Sequence, residues 1–216
     1  MPHQRHRWAV DISHHYNHDF KVERQSFDNW HNPNYGQPLN DTHIEIYVDA
    51  SVNYTRQIAG CGMFITDTRN GQFAAERYFL GEQSSVQLSE TVAIYMASTW
   101  LINNPAIVSG STVAIYSDSQ NSIKDLDTVL KHPEFDAATK WDIPQLYNDV
   151  LKTTVLSLKE ASMNCRVTLR WIKAHAGHMG NHIADYYANL GAQGTEPPFN
   201  ILSMVKRQPK NRGRGA

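Results

Sequence analysis

The period of hydrophobicity changes once, and sharply, near Ser84, and that change limits the architectures open to this chain. Before it, His43 to Val48 (HIEIYV) alternates polar and apolar, Ile58 to Thr66 (IAGCGMFIT) is apolar and punctuated by glycine, and Phe73 to Leu80 (FAAERYFL) is again strand-like. Short polar joins make these three runs an antiparallel meander. After Ser84/Ser85, a natural helix cap, Val86, Val92, Ala93, Met96, Ala97, Trp100 and Leu101 recur at spacings of three and four, up to the Asn104-Pro105 break. The text then alternates between the two periods. Thr112–Tyr116 (TVAIY) reads as a buried strand and is followed by a helix carrying Ile123, Leu126, Val129 and Leu130. A second helix is opened by Pro144, with Leu146, Val150, Leu151, Val155 and Leu158 on one face. Arg166–Ile172 (RVTLRWI) is another alternating strand, and the Gly/His loop Ala174–Gly180 feeds a last helix over Asn181–Ala192. Three strands, helix, strand, two helices, strand, helix predicts an α/β fold with one mixed sheet flanked by helices.

The two ends read differently. Residues 1–40 are rich in His, Asn, Gln and aromatics without either period, and are expected to be a flexible extension or linker. His14, His15 and His18 stand at helical spacing, but no cysteine or second cluster matches them as a metal site, so they read as part of a solvated segment. The end of the chain, 196–216, has Pro-Pro followed by basic and Gly-rich text and is expected to be a flexible tail. The net charge of -1 hides an asymmetry: residues 41–195 hold eleven basic and sixteen acidic residues, whereas 196–216 hold five basic residues and the single acid Glu196. No run approaches the roughly 18 apolar residues of a membrane span, and the first residues lack a signal-peptide core, so an intracellular protein, nuclear or cytoplasmic and not secreted, is expected, with no membrane partner. Cys61 and Cys165 lie in apolar runs and read as reduced core residues.

Four acids fall where chemistry gathers in an α/β sheet, at strand ends and just beyond. Asp49 ends the first strand, Glu90 lies one turn into the first helix, Asp118 ends the fourth strand, and Asp185 sits in the first turns of the last helix. One acid at a strand end usually caps a turn. Four that converge repel one another unless cations neutralise them. Hard oxygen ligands without cysteine favour Mg²⁺ or Mn²⁺, and a pair of such ions serves in-line phosphodiester cleavage.

The segments YVDAS, GCG, SSVQLSETVAI, IYSDSQNSIK and WIKAHAGHMGNHIAD, in this order and spacing, resemble the type 1 ribonuclease H family over roughly Thr42–Gln193. The wording is most similar to the ribonuclease H domains of non-LTR retrotransposons. The resemblance implies a five-stranded mixed sheet, three antiparallel strands then two parallel, in a catalytic domain spanning 41–195. It also implies an endonuclease that cuts the RNA strand of RNA/DNA hybrids and leaves 3′-hydroxyl and 5′-phosphate ends. By similarity, two Mg²⁺ ions, with Mn²⁺ able to substitute, are held by Asp49, Glu90, Asp118 and Asp185: Asp49 bridges both, Asp185 serves the ion that activates water, and Glu90 with Asp118 serve the leaving-group ion. His175 falls on the family's mobile-loop histidine, a proton shuttle or an aid to product release. His178 and His182 read as ordinary loop and helix-surface residues.

Some positions depart from the family's wording. Ala50 replaces a frequent glycine, His182 stands where retroelement relatives often carry glutamate, and Lys131–Trp141 lacks a dense lysine cluster. Hybrid affinity therefore needs another source of positive charge, for which metal ions offsetting several of the acids and the five cations of the tail are the candidates. Gln87, Ser119 and Asn121 are candidate substrate-binding residues able to read a 2′-hydroxyl, Asn181 is a further candidate for substrate binding, and Trp141 or Trp171 could stack near the DNA strand, although Trp171 in an alternating strand reads as core. Two other readings stay open: another nuclease or strand-transfer enzyme of the same fold, and a catalytically silent nucleic-acid-binding or scaffold domain. The chain is expected to be monomeric, either free-standing or a domain downstream of a reverse transcriptase.

Overall fold

The computed structural model describes residues 21–22, 42–83, 85–134, 136, 143–195 and 197–205. Six strands form one sheet: β1 (Lys21–Val22), β2 (Ile44–Asn53), β3 (Ile58–Asp67), β4 (Gln72–Glu82), β5 (Thr112–Ser117) and β6 (Arg166–Trp171), in the order β1-β6-β5-β2-β3-β4. The helices are α1 (Val86–Asn103), α2 (Pro105–Val108), α3 (Gln120–Lys131), α4 (Gln145–Ala161), α5 (Met179–Gly191) and α6 (Ile201–Val205). The antiparallel meander β2-β3-β4 and the parallel strands β5 and β6 are the five strands expected from the sequence.

Alternation in β2 sends Ile44, Ile46 and Val48 to one face, where they join the main core with residues of α1, α3 and α4. Glu45, Tyr47 and Asp49 go to the other. Helix α1 begins where the Ser85 hydroxyl accepts the Leu88 N–H at 3.2 Å. Residues Leu88 to Ser98 are buried without interruption, because the sheet covers one side of the helix and α4 the other. The two helices are tied by a buried hydroxyl pair, Ser98 to Ser157, at 2.7 Å. On the opposite face α5 lies almost against the sheet backbone: a Cβ at Gly62 would come within 2.1 Å of the Ala184 carbonyl oxygen, and one at Gly60 within 2.2 Å of the Ala192 nitrogen. Glycine at these two positions sets the depth of α5, and with it the depth of Asp185. Cys61 and Cys165 are free and buried, as expected.

The structure differs from the sequence reading in three places. Lys21–Val22, inside the extension read as unstructured, pairs in parallel with Thr168–Leu169, so β6 is not the edge of the sheet. Pro105, read only as a stop, supplies the first residue of the short helix α2, where a missing N–H costs nothing. Part of the tail read as flexible is folded: the Phe199 N–H donates to the Phe79 carbonyl at 2.6 Å, and Ile201 and Met204, three residues apart on one face of α6, are buried in the main core. The remainder of the extension with its histidines, Trp141, and the basic residues 206–216 lie outside the described residues. No helix among the described residues is long and apolar enough to cross a membrane.

Candidate active site

Register brings the first two carboxylates together. β2 and β5 run parallel with Tyr47 opposite Tyr116, and their rings stack at 4.8 Å. Two residues further along each chain, on the same face by the two-residue period, come Asp49 and Asp118. Glu90 approaches from the second turn of α1. One carboxylate oxygen from each of Asp49, Glu90 and Asp118 lies within 4.8 Å of the others.

The trio is electrostatically costly. Burial pushes the Asp49 carboxyl up to about 8, with repulsion from Asp118 and Asp185 adding to it and the Ala50 N–H, donated to Asp49 Oδ1 at 2.7 Å, opposing it. Burial also raises Glu90 well above the usual carboxylate range, and the charges of Asp49 and Asp118 raise it further. Asp118 is raised by burial, against a hydrogen bond from Asn181 and the charge of His175. Glu90 Oε2 is buried with no hydrogen-bond partner among the described residues. An orphaned buried oxygen within a set of mutually repelling hard donors fits a divalent cation of the Mg²⁺ or Mn²⁺ type.

Asp185 stands beside this trio, half-buried on α5, close enough for its charge to act on Asp49 and Asp118. Its Oδ1 accepts the Asn189 side-chain N–H at 2.9 Å, and Asn189 Oδ1 accepts the Ser51 hydroxyl at 2.7 Å. This relay joins the end of β2 to α5. His175 is exposed on a left-handed turn, φ 53°, beside Asp118.

The four candidate substrate-binding residues have different surroundings. Asn181 is buried; its Nδ2 donates to Asp118 Oδ2 at 3.2 Å, and its Oδ1 has no hydrogen-bond partner among the described residues. Gln87 donates its amide to Asp125 Oδ2 at 2.5 Å, an oxygen that also accepts the Tyr147 hydroxyl at 2.8 Å. The Ser119 hydroxyl is bonded to Ser122 at 2.8 Å, and Asn121 is exposed on the first turn of α3. The sequence reading missed Trp171 as a support of the site: it is half-buried against the core, and its indole N–H donates to the Asp118 carbonyl at 2.9 Å. Its pairing with Ser117, the residue before Asp118, is the signal that only register supplies.

A family model described as RNase H matches residues 41–193. The solution structure of the PFV RNase H domain has 20% identity and a TM-score of 0.52, with 71% of this chain and 96% of that one covered. LC9-RNase H1, whose crystal structure is described as a type 1 RNase H with the type 2 active-site motif, has 18% identity and a TM-score of 0.52, over 79% of this chain and 83% of that one. At these identities the likeness is one of fold. No curated protein matches this chain. The match to the family model spans most of the chain and contains every carboxylate of the site, and on that ground the chain belongs to the RNase H family, nucleases of RNA/DNA hybrids.

Proposed function

We propose that this chain is an endoribonuclease that hydrolyses the RNA strand of RNA/DNA hybrids, with two Mg²⁺ ions, or Mn²⁺ in their place, leaving 3′-hydroxyl and 5′-phosphate ends. The observation that carries this reading is the meeting of Asp49, Glu90 and Asp118 from three different elements around a buried, unpartnered Glu90 oxygen. Asp49, Glu90 and Asp118 would hold the metal, with Asp185 at its flank. Bound there, the ions supply an activated water and a charge sink for the leaving oxygen.

The protein's own part is to keep the acceptors fixed. Asn181 and Trp171 hold the side chain and the peptide of Asp118, and the Ser51–Asn189 relay holds Asp185. His175, exposed beside Asp118, is the group we assign to carrying a proton between the site and solvent, since an imidazole nitrogen can both accept and release one. Water adds to the phosphorus as the bond to the 3′ oxygen breaks. Its oxygen stays on the 5′-phosphate, and the 3′ oxygen leaves protonated. The motif wording favours a type 1 enzyme of non-LTR retrotransposon type, and we take the chain to be an intracellular monomer, either free-standing or a domain downstream of a reverse transcriptase.

The test is cleavage of labelled RNA/DNA hybrid, RNA duplex, DNA duplex and single-stranded RNA in Mg²⁺, Mn²⁺ or EDTA, with Asp118→Asn alongside. Metal-dependent cutting confined to the RNA strand of the hybrid and lost in Asp118→Asn is the expected result. Hybrid binding without cutting of any substrate overturns it in favour of a silent binding domain.

A further inference from the structure

A second group of side chains able to ligate a metal lies beside the carboxylates, and two of its members, His178 and His182, take no part in the hydrolysis proposed above. His178 is the residue preceding α5, and the backbone N–H of His182 donates to its carbonyl at 3.1 Å, so the two residues stand one turn apart at the start of the helix, close enough for the charge of His182 to act on His178. The ring of His175 lies 6.5 Å from that of His182, with 34° between the planes. His175 and His182 are exposed and His178 is half-buried. No imidazole nitrogen of the three has a hydrogen-bond partner among the described residues. The rings are not drawn to one point: among the described residues, the carboxylate trio is the group of three whose ligand atoms all lie within 4.8 Å.

We infer that His178 and His182 form a chelating site for a borderline divalent cation of the zinc class, with His175 within reach as a third ligand. Two histidines four residues apart at the start of a helix have the spacing that binds zinc in helical His-x-x-x-His pairs. Imidazole nitrogen selects zinc, nickel or copper over magnesium, so the site and the carboxylate trio sort cations by ligand chemistry. Burial and the neighbouring His182 keep His178 below the ordinary histidine value, and a metal needs that neutral form. Asp118, whose carboxylate interacts with the charge of His175, and Asp185, three residues beyond His182 on α5, put negative charge on this side of the site. Occupancy would pin the Ala174–His178 turn to α5 and immobilise His175 beside Asp118, a brake on any reaction that uses this histidine as a proton carrier.

The test uses the full chain in excess Mg²⁺, which occupies the carboxylates, with zinc added up to a small molar excess and the imidazole nitrogens followed by long-range ¹H–¹⁵N NMR. The His178 and His182 signals are expected to shift together. In His182→Gln the His178 response should require at least about tenfold more zinc, and His178→Gln should do the same to His182. The remaining histidines report through their own signals. A response confined to them, or a His178 response unchanged in His182→Gln, overturns the site. Because the readout is binding in the presence of Mg²⁺, it is independent of whether the chain cuts hybrids.

Discussion

Asn181, in the first turn of α5, donates its side-chain N–H to Asp118 Oδ2 at 3.2 Å, across 63 residues of sequence, and so joins the helix that carries Asp185 to the strand end that carries Asp118. The charge on Asp118 fixes the orientation of the amide, since the reverse rotamer would set oxygen against carboxylate. Asn181 is therefore a positioning residue for one of the site's acids.

Asn181→Ala is expected to lower divalent-cation affinity, and cleavage with it, by about 10- to 100-fold, the cost of losing a partner that orients a ligand. Titration of Mg²⁺ by calorimetry separates this from a folding defect. Unchanged affinity together with unchanged cleavage would remove Asn181 from the site.

The carboxylate trio makes stability depend on pH in a direction opposite to that of salt-bridged acids. Asp49 is raised to about 8 in the folded chain, so from the ordinary aspartate range up to that value the folded state holds more protons than the unfolded one. Stability in EDTA therefore falls as pH rises through this window, and Glu90 and Asp118, also raised, act in the same direction. Thermal melting in EDTA should give a Tm that drops between about pH 5 and about pH 9. Asp49→Asn should flatten that dependence, and Mg²⁺ should raise Tm more at the alkaline end. A rising Tm in EDTA would contradict the assignment.

That Asp49, Glu90 and Asp118 meet, with Asp185 beside them, was legible in the sequence because Asp49 and Asp118 end strands of clear period and Glu90 and Asp185 lie within helices of clear period, and periodicity survives without knowledge of the neighbours. Their supports were not. Trp171 meets Asp118 only because Ser117 pairs with Trp171, and Ser51 meets Asn189 only because α5 sinks onto Gly60 and Gly62. Both depend on strand register and helix depth, which a single chain's text does not carry. Gln87 has the opposite history: it looked available, and Asp125 engages its amide. β1 and α6 escaped notice because two and five residues are too short to display a period, and both are held by the sheet and core that they join.

The close approach of α5 predicts a severe effect at Gly62. In Gly62→Ala the new methyl would meet the Ala184 oxygen at 2.1 Å and the Ala188 nitrogen at 2.3 Å, backbone atoms that move only if the helix does. A cost of about 3 kcal/mol or more follows, and any folded variant should lose metal affinity, since the displaced helix carries Asp185 and Asn181. Chemical denaturation with calorimetric titration checks both. A loss under about 1 kcal/mol would show that α5 has slack.

Two truncations separate the folded and the basic parts of the chain's end. Removing everything after Val205 leaves α6 in the core, so Tm should stay near that of the full chain, while five cations are removed from a protein whose central region is acidic. Neutralisation of phosphates by those cations appears as counterion release, so the slope of hybrid affinity against salt should flatten by up to about one unit for each phosphate left without its cation, with cleavage at saturating substrate retained. Removing everything after Thr195 also strips Ile201 and Met204 from the core, and burial of two such side chains is worth about 3 to 5 kcal/mol. This shorter chain should melt well below the first. Equal Tm values for the two truncations would mean that α6 adds nothing to the core, and an unchanged salt slope in the longer one would remove the basic tail from hybrid binding.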